Sequence, residues 1–149
     1  MLYPDTSFLC ALYVAQSHSA RAIQFASRLT QPLISTSLLL FEFRQSHQFQ
    51  SWRFTRDRSQ GYSPATAKAA MAALQSDISA GLFIAMAVDW SAVHHTAERL
   101  ALRHTVKAGH RSFDILHVAS ALELGATGFL TFDANQRKLA AAEGLQLPG

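Results

Sequence analysis

Apolar residues recur at helical spacing over most of the chain, and the stretches without that period are short and suited to strands. Residues 1–5 form an apolar start, after which Thr6 and Ser7 introduce a helical pattern carrying Phe8, Leu9, Leu12 and Tyr13. A second pattern over about 19–30 sets Ile23, Phe25 and Leu29 on one side. Residues 32–36 read as a short strand, and Ser37 is expected to cap a long helix running through Glu42 to about Arg56. A polar loop over 57–62 precedes Ser63-Pro64, a capping hydroxyl followed by proline at the first helical position. The helix it opens repeats Ala67, Met71, Leu74 and Ile78 on one face and stops at Gly81. Residues 82–88 have strand length, and a helix from about Trp90 with Val93, Ala97, Leu100 and His104 on one face is broken at Ala108-Gly109. Ser112 is expected to cap a helix through Ile115, Ala119 and Leu122 that ends at Gly125. Residues 127–132 read as a strand, Asp133 opens a last helix closed by Gly144, and 145–147 suggest a terminal strand.

Strands separated by helices cannot pair as hairpins, so the pattern predicts an α/β fold. The expected architecture is an α/β/α sandwich with a central, mostly parallel sheet, formed by residues 1–149 as one domain. No internal repeat or low-complexity tract interrupts it. Pro4 removes a backbone donor near the end of the first strand and is expected to end it early.

Composition adds constraints on partners. Apolar residues make up 49% and charged residues 15% of the chain, a globular balance. That low charge and a mean hydropathy of +0.07 hint that a partner covers some apolar surface. The net charge of +3 and a sequence pI near 9.4 suit a polyanionic partner. Cys10 is the only cysteine, which excludes an intrachain disulfide and a zinc ribbon and fits a reducing cytoplasm. Met1 leads straight into an apolar segment with no basic region, unlike a signal peptide. No apolar run is long enough to cross a bilayer. A soluble cytoplasmic protein is expected.

The candidate chemistry lies in four carboxylates among only 10 acidic residues: Asp5, Glu42, Asp114 and Asp133. Asp5 and Asp133 follow strands, Asp114 opens a helix, and Glu42 lies in the first turns of another. Ligands of parallel sheets bind beyond the carboxyl ends of the strands, so all four are compatible with one shared site. Singly, each has a structural explanation: Asp5 and Asp133 as N-caps, Asp114 as a favourable charge in a first turn, Glu42 as a surface residue. Their contexts argue otherwise. Glu42 sits within Leu38-Leu39-Leu40-Phe41-Glu42-Phe43, and Asp114 between Phe113 and Ile115, where an unpaired carboxylate is costly. Oxygen-only ligands point to a hard cation, Mg²⁺ or Mn²⁺, acting on an anionic substrate such as a phosphodiester.

Four segments in order, Tyr3-Pro4-Asp5-Thr6-Ser7, Glu42, 111–119 (Arg-Ser-Phe-Asp-Ile-Leu-His-Val-Ala) and 130–136 (Leu-Thr-Phe-Asp-Ala-Asn-Gln), carry a family resemblance. The chain resembles the PIN-domain nucleases, in particular the VapC-type toxins of prokaryotic toxin–antitoxin pairs, over nearly its whole length. The resemblance implies a PIN-like fold, an Mg²⁺ or Mn²⁺ site, endoribonuclease activity, homodimerisation and inhibition by a cognate antitoxin. By analogy Asp5, Asp114 and Asp133 bind the metal directly or through water, and Glu42 holds a second ion or orients the attacking water. Cleavage in that family leaves a 3′-hydroxyl and a 5′-phosphate. Ser7 and Thr131 are expected to fix the carboxylates, and Arg111 to hold an acid or the substrate phosphate, or else to be an ordinary surface arginine.

His117, one turn beyond Asp114, could reach the same site, but between Leu116 and Val118 it reads rather as a packed core histidine. Arg44, Arg53, Arg56 and Arg58 alternate with His47, Phe49, Trp52 and Phe54, a pattern suited to RNA or antitoxin contact, or to a solvated helix face. Two other functions stay open. One is a non-catalytic PIN-fold module binding RNA or a protein. The other is a phosphohydrolase with Asp5 as nucleophile, although that chemistry usually places a second acid where Ser7 stands.

Overall fold

Helix starts are set by side chains that accept otherwise orphaned backbone N–H groups, and five such caps punctuate the chain. The computed structural model describes residues 1–148. Strand β1 (Leu2–Pro4) ends at Asp5, whose carboxylate caps α1 (Thr6–Tyr13) by accepting from the Phe8 amide. Helix α2 (Ser19–Ala26) leads to β2 (Leu33–Ser35). Thr36, one residue before the expected Ser37, caps the long α3 (Ser37–Arg56) by accepting from the Leu39 amide. Its φ of −124° keeps it extended, so it is the residue at which strand gives way to helix. Ser63 caps α4 (Pro64–Ser79) as its Ser-Pro signature predicts. Strand β3 (Phe83–Ala85) and Asp89, the next cap, precede α5 (Trp90–Leu100). A π-helical turn over Ala101–Thr105 continues α5 into the short α6 (Val106–Ala108). Gly109 stops the run at φ 66°, a conformation that costs glycine little. Helix α7 (Ser112–Glu123), β4 (Gly128–Leu130) and the Asp133-capped α8 (Ala134–Ala142) complete the order.

All recorded strand pairing is parallel. β1 pairs with β4 in the register Tyr3–Phe129, and β2 with β3 in the register Ile34–Ile84. β1 also runs beside β2, giving the spatial order β3-β2-β1-β4. No ladder is recorded between β1 and β2, and Pro4 offers a reason. The Asp5 amide donates to Leu130 of β4, so by alternation the Pro4 nitrogen faces β2, where it has no hydrogen to give. The expected terminal strand is reduced to one parallel bridge between Gly128 and Gln146. The stretches read as strands over 82–88 and 127–132 pair over only three residues each. β3 is an edge strand with Ile84 about half exposed, so only Phe83 is fixed by burial.

Side chains alternate across the strands and build two cores. On one face Tyr3, Ile34 and Phe129 pack with Val93, Leu100, Val118 and Leu139 of α5, α7 and α8. On the other, Leu33, Phe83 and Leu130 pack with Phe8, Leu9, Leu39, Phe43 and Leu74 of α1, α3 and α4. Helices therefore cover both faces of a parallel sheet, a three-layer α/β/α arrangement. Among the described residues, no helix is long and apolar enough to cross a membrane.

Candidate active site

The carboxyl ends of β1 and β4 lie side by side and each delivers an aspartate into the first turn of a helix. Asp5 is fully buried. One of its oxygens, Oδ1, accepts from the Ser7 hydroxyl at 2.7 Å and the Phe8 amide at 2.9 Å. The other, Oδ2, accepts from the Thr131 hydroxyl at 2.6 Å. Burial pushes the Asp5 carboxyl up to about 6, against the pull of those hydrogen bonds. Thr131 Oγ1 also accepts from the Asp133 amide at 2.9 Å, so a single hydroxyl joins the two strand ends. Ser7 ties them again, its oxygen accepting from the Phe132 amide at 2.8 Å. Ser7 and Thr131 thus both donate to the Asp5 carboxylate.

Asp133 Oδ1 accepts from the amides of Asn135 and Gln136, both at 2.8 Å, leaving Oδ2 with no protein donor recorded. The buried side chain of Gln136 reaches across to α7 and donates through Nε2 to Asp114 Oδ1 at 3.1 Å. Asp114 Oδ2 accepts from the Arg111 amide at 3.2 Å. Asp114 therefore lies three residues into α7, where the helix dipole favours a negative charge.

Glu42 enters from α3 and is half-buried. It accepts from the Thr6 hydroxyl, and its Oε2 lies within hydrogen-bond distance of His117 Nε2, at 2.6 Å. Burial raises its pKa, but the contacts with His117 and Thr6 and the charge of Arg111 outweigh that and hold it below the usual carboxylate range. His117 itself is fully buried, and its Nδ1 lies 3.0 Å from the Tyr3 hydroxyl.

The four acids are thus strung along one belt. From Glu42 it runs through the adjoining Thr6 and Asp5 to Thr131, Asp133, Gln136 and Asp114, and α7 returns it through His117 to Glu42. Among the described residues, no three His, Cys, Asp or Glu side chains draw together into a ready-made metal group. Among the described residues, Asp5, Asp114 and Asp133 have no cationic side chain within 4.0 Å.

The other expected residues are spread more widely. Arg111 is exposed; its backbone holds Asp114 while its charge is felt by Glu42. Arg53 is occupied with Gln60, at 2.9 Å. Arg56 lies 5.9 Å over the Trp52 ring and Arg58 5.6 Å over Phe54, whereas Arg44 is exposed without a recorded partner. These arginines belong to the face of α3 and the loop after it, not to the belt. Phe132 adds a feature that the sequence did not signal, with His18 stacked on it at 4.6 Å and Arg21 5.6 Å above its ring.

Known structures with this architecture are similar to the chain over essentially its full length. The crystal structure of Mycobacterium tuberculosis VapC20, a Sarcin-Ricin loop cleaving toxin, has a TM-score of 0.69 at 17% identity, covering 100% of both chains. VapBC-1 from nontypeable Haemophilus influenzae gives 0.64 at 14% identity, covering 99% of this chain and 97% of that one. These likenesses show that the chain has the PIN-like α/β/α fold of the VapC structures. FitAcB from Neisseria gonorrhoeae shares the PIN-like arrangement at 0.63 and 13% identity, covering 100% of this chain and 97% of that one. At the level of sequence, no protein-family model and no curated protein matches the chain.

Tyr3, Thr6, Gln136 and His117 hydrogen-bond along the belt; the sequence placed the first three only within the segments of the resemblance and gave His117 a possible reach to the site. Gln136 carried a faint signal, three residues after Asp133 on the turn that Asp133 caps. His117 carried one too, one turn after Asp114, but its apolar neighbours pointed to the core.

Proposed function

We propose that this PIN-fold protein is a metal-dependent endoribonuclease, the toxin of a type II toxin–antitoxin pair. The observation that supports this reading is the belt: four carboxylates at one sheet edge, three of them without a cationic partner. The donors are all oxygen, as Mg²⁺ and Mn²⁺ prefer. Mg²⁺ keeps several waters and is usually held by only one or two carboxylates, so a tight three-acid group is not required. In this reading Asp5, Asp114 and Asp133 hold the ion, directly or through water, and the open Oδ2 of Asp133 is one available ligand. Such an ion supplies an acidified water and neutralises charge on the scissile phosphate.

The protein's own groups do the rest. Ser7 and Thr131 lock the Asp5 carboxylate by donating to it, and Gln136 fixes Asp114 against Asp133. Glu42, held ionised, orients the attacking water or a second ion and accepts its proton. Water oxygen bonds to phosphorus as the P–O3′ bond breaks, and the leaving 3′-oxygen takes a proton from solvent, giving a 3′-hydroxyl and a 5′-phosphate. An antitoxin partner is supported by the likeness to structures named VapBC, and a homodimer by the same family analogy. The exposed Phe41, Phe49 and Trp52 on α3 favour a contact surface for RNA or antitoxin, which a binding module without turnover would share.

The test is cleavage of a structured RNA pool by antitoxin-free protein with Mn²⁺, with Mg²⁺ and with EDTA. Cleavage is expected only with metal and is expected to fall by at least ~100-fold in Asp5→Asn and Asp114→Asn, roughly the effect of losing a charged group that acts in the transition state. Cleavage that survives Asp114→Asn, or that EDTA leaves untouched, would sink the reading. RNA binding without turnover would favour the binding module.

A further inference from the structure

We infer that Tyr3 and His117 form a buried relay whose task is to position the Glu42 carboxylate, so that His117 belongs to the site and not to the core. The inference rests on the nuclease reading of the belt for its functional part and on geometry alone for the contact. His47, also fully buried, uses only Nδ1, against the Tyr62 hydroxyl, and leaves its Nε2 without a partner among the described residues. Both nitrogens of His117 are committed to the site's edge. Nε2 meets Glu42 Oε2 at 2.6 Å, and Nδ1 meets the Tyr3 hydroxyl at 3.0 Å.

Roles follow from which atoms own protons. An ionised carboxylate only accepts, so Nε2 is the donor in its contact with Glu42. In the neutral ring Nδ1 then accepts from Tyr3. The Tyr3 phenol carries its proton at neutral pH and so can donate. Tyr3 is held in turn on three sides: its oxygen lies 3.1 Å from Thr36 Oγ1, its ring stacks on Phe129 at 5.7 Å, and its backbone is in β1. Thr36 is the cap of α3, the helix that carries Glu42. The relay therefore links β1, α7 and both the start and the working residue of α3, fixing the tautomer of the ring that aims at Glu42.

The full chain is compared with His117→Leu, His117→Gln and Tyr3→Phe. Three quantities are read: single-turnover RNA cleavage, Mn²⁺ affinity by titration calorimetry without RNA, and the imidazole ¹⁵N–¹H spectrum. Loss of an outer partner of this kind typically costs about 10–100-fold in activity or metal affinity. His117→Leu is expected to lose cleavage by that factor with KM for RNA unchanged. His117→Gln should recover part of the loss, because its amide can still donate to Glu42. Tyr3→Phe removes one oxygen from an otherwise intact core, so it tests the relay even if His117→Leu fails to fold, and should lose several-fold. In the wild type a slowly exchanging Nε2–H signal is expected that shifts in Glu42→Ala. Wild-type cleavage rates and Mn²⁺ affinity in a folded His117→Leu would overturn the relay, as would an Nε2 signal indifferent to Glu42→Ala. A wild-type protein that cleaves no RNA overturns the nuclease reading instead, and the imidazole signal then decides the contact by itself.

Discussion

Asp5 is the residue at which folding and function pull in opposite directions. Its carboxyl is fully buried and lifted from an ordinary 3.8 to about 6. A folded-state pKa above the unfolded one means that the native protein binds the extra proton between those values. The associated stability is complete below about pH 4 and is lost as pH rises through about 6, on the order of 2–3 kcal/mol from this group. Urea unfolding of metal-free protein at pH 4.5 and pH 7 should show that loss, Asp5→Asn should flatten it, and Mn²⁺ should offset it at pH 7 but hardly at pH 4.5. A metal-free wild type as stable at pH 7 as at pH 4.5 would contradict the burial argument. Gln136 makes a second residue-scale case. Its Nε2 holds Asp114, yet its buried Oε1 has no partner, so Gln136→Leu removes one good contact and one unsatisfied atom together. Stability should change by less than about 1 kcal/mol in thermal melts, while cleavage falls by ~10-fold because Asp114 loses its tether. The pairing of Gln136 with Asp114 is not legible in the sequence. Composition tells which residues can hydrogen-bond, not which of them a crossover 22 positions long brings within reach.

Among the elements, α3 depends on its cap more than its length suggests. Thr36 Oγ1 accepts from the Leu39 amide at 3.3 Å and also meets the Tyr3 hydroxyl. Thr36→Val keeps the shape and strips both contacts, and should destabilise by about 1–2 kcal/mol in urea unfolding, the usual worth of a cap. A loss confined to activity, with no change in stability, would show the cap to be dispensable. Helix starts of this kind were readable because Ser63-Pro64 and Asp133 act through atoms two or three residues away. Strands were less so. Only Phe83 of β3 is buried, and pairing depends on what lies alongside, so an apolar run of strand length overstates the ladder. The π-helical turn after α5 had no local signal either. Arg99, Arg103 and His104 converge on Glu143 at the end of α8, contacts about 40 positions distant that act on the helix from outside.

Taken whole, the molecule separates its charges. The acids gather at the strand ends, while a net charge of +3 leaves cations elsewhere, among them the α3 arginines beside exposed Phe49 and Trp52, which stack at 5.5 Å. On the proposed nuclease reading, an acid-lined site repels RNA unless a cation neutralises it, so approach would be steered from another face, for which the α3 surface has the charges and rings. Arg44 and Arg56 would neutralise phosphates while Phe49 and Trp52 stack bases. For single strands each neutralised phosphate contributes a slope of about 0.7 in the plot of log affinity against log salt. Arg44→Ala and Arg56→Ala should therefore each lower the RNA-binding slope by about 0.7, measured in Asp114→Asn protein to prevent cleavage. Trp52→Ala should weaken binding by roughly 1–3 kcal/mol without altering the slope, since stacking releases no counterions. These side chains are exposed, so none of the three substitutions should move stability by more than about 0.5 kcal/mol. Slopes unchanged by both arginine substitutions would assign the α3 face to a protein partner, with the RNA reaching the acids over Arg21 and Arg111 instead.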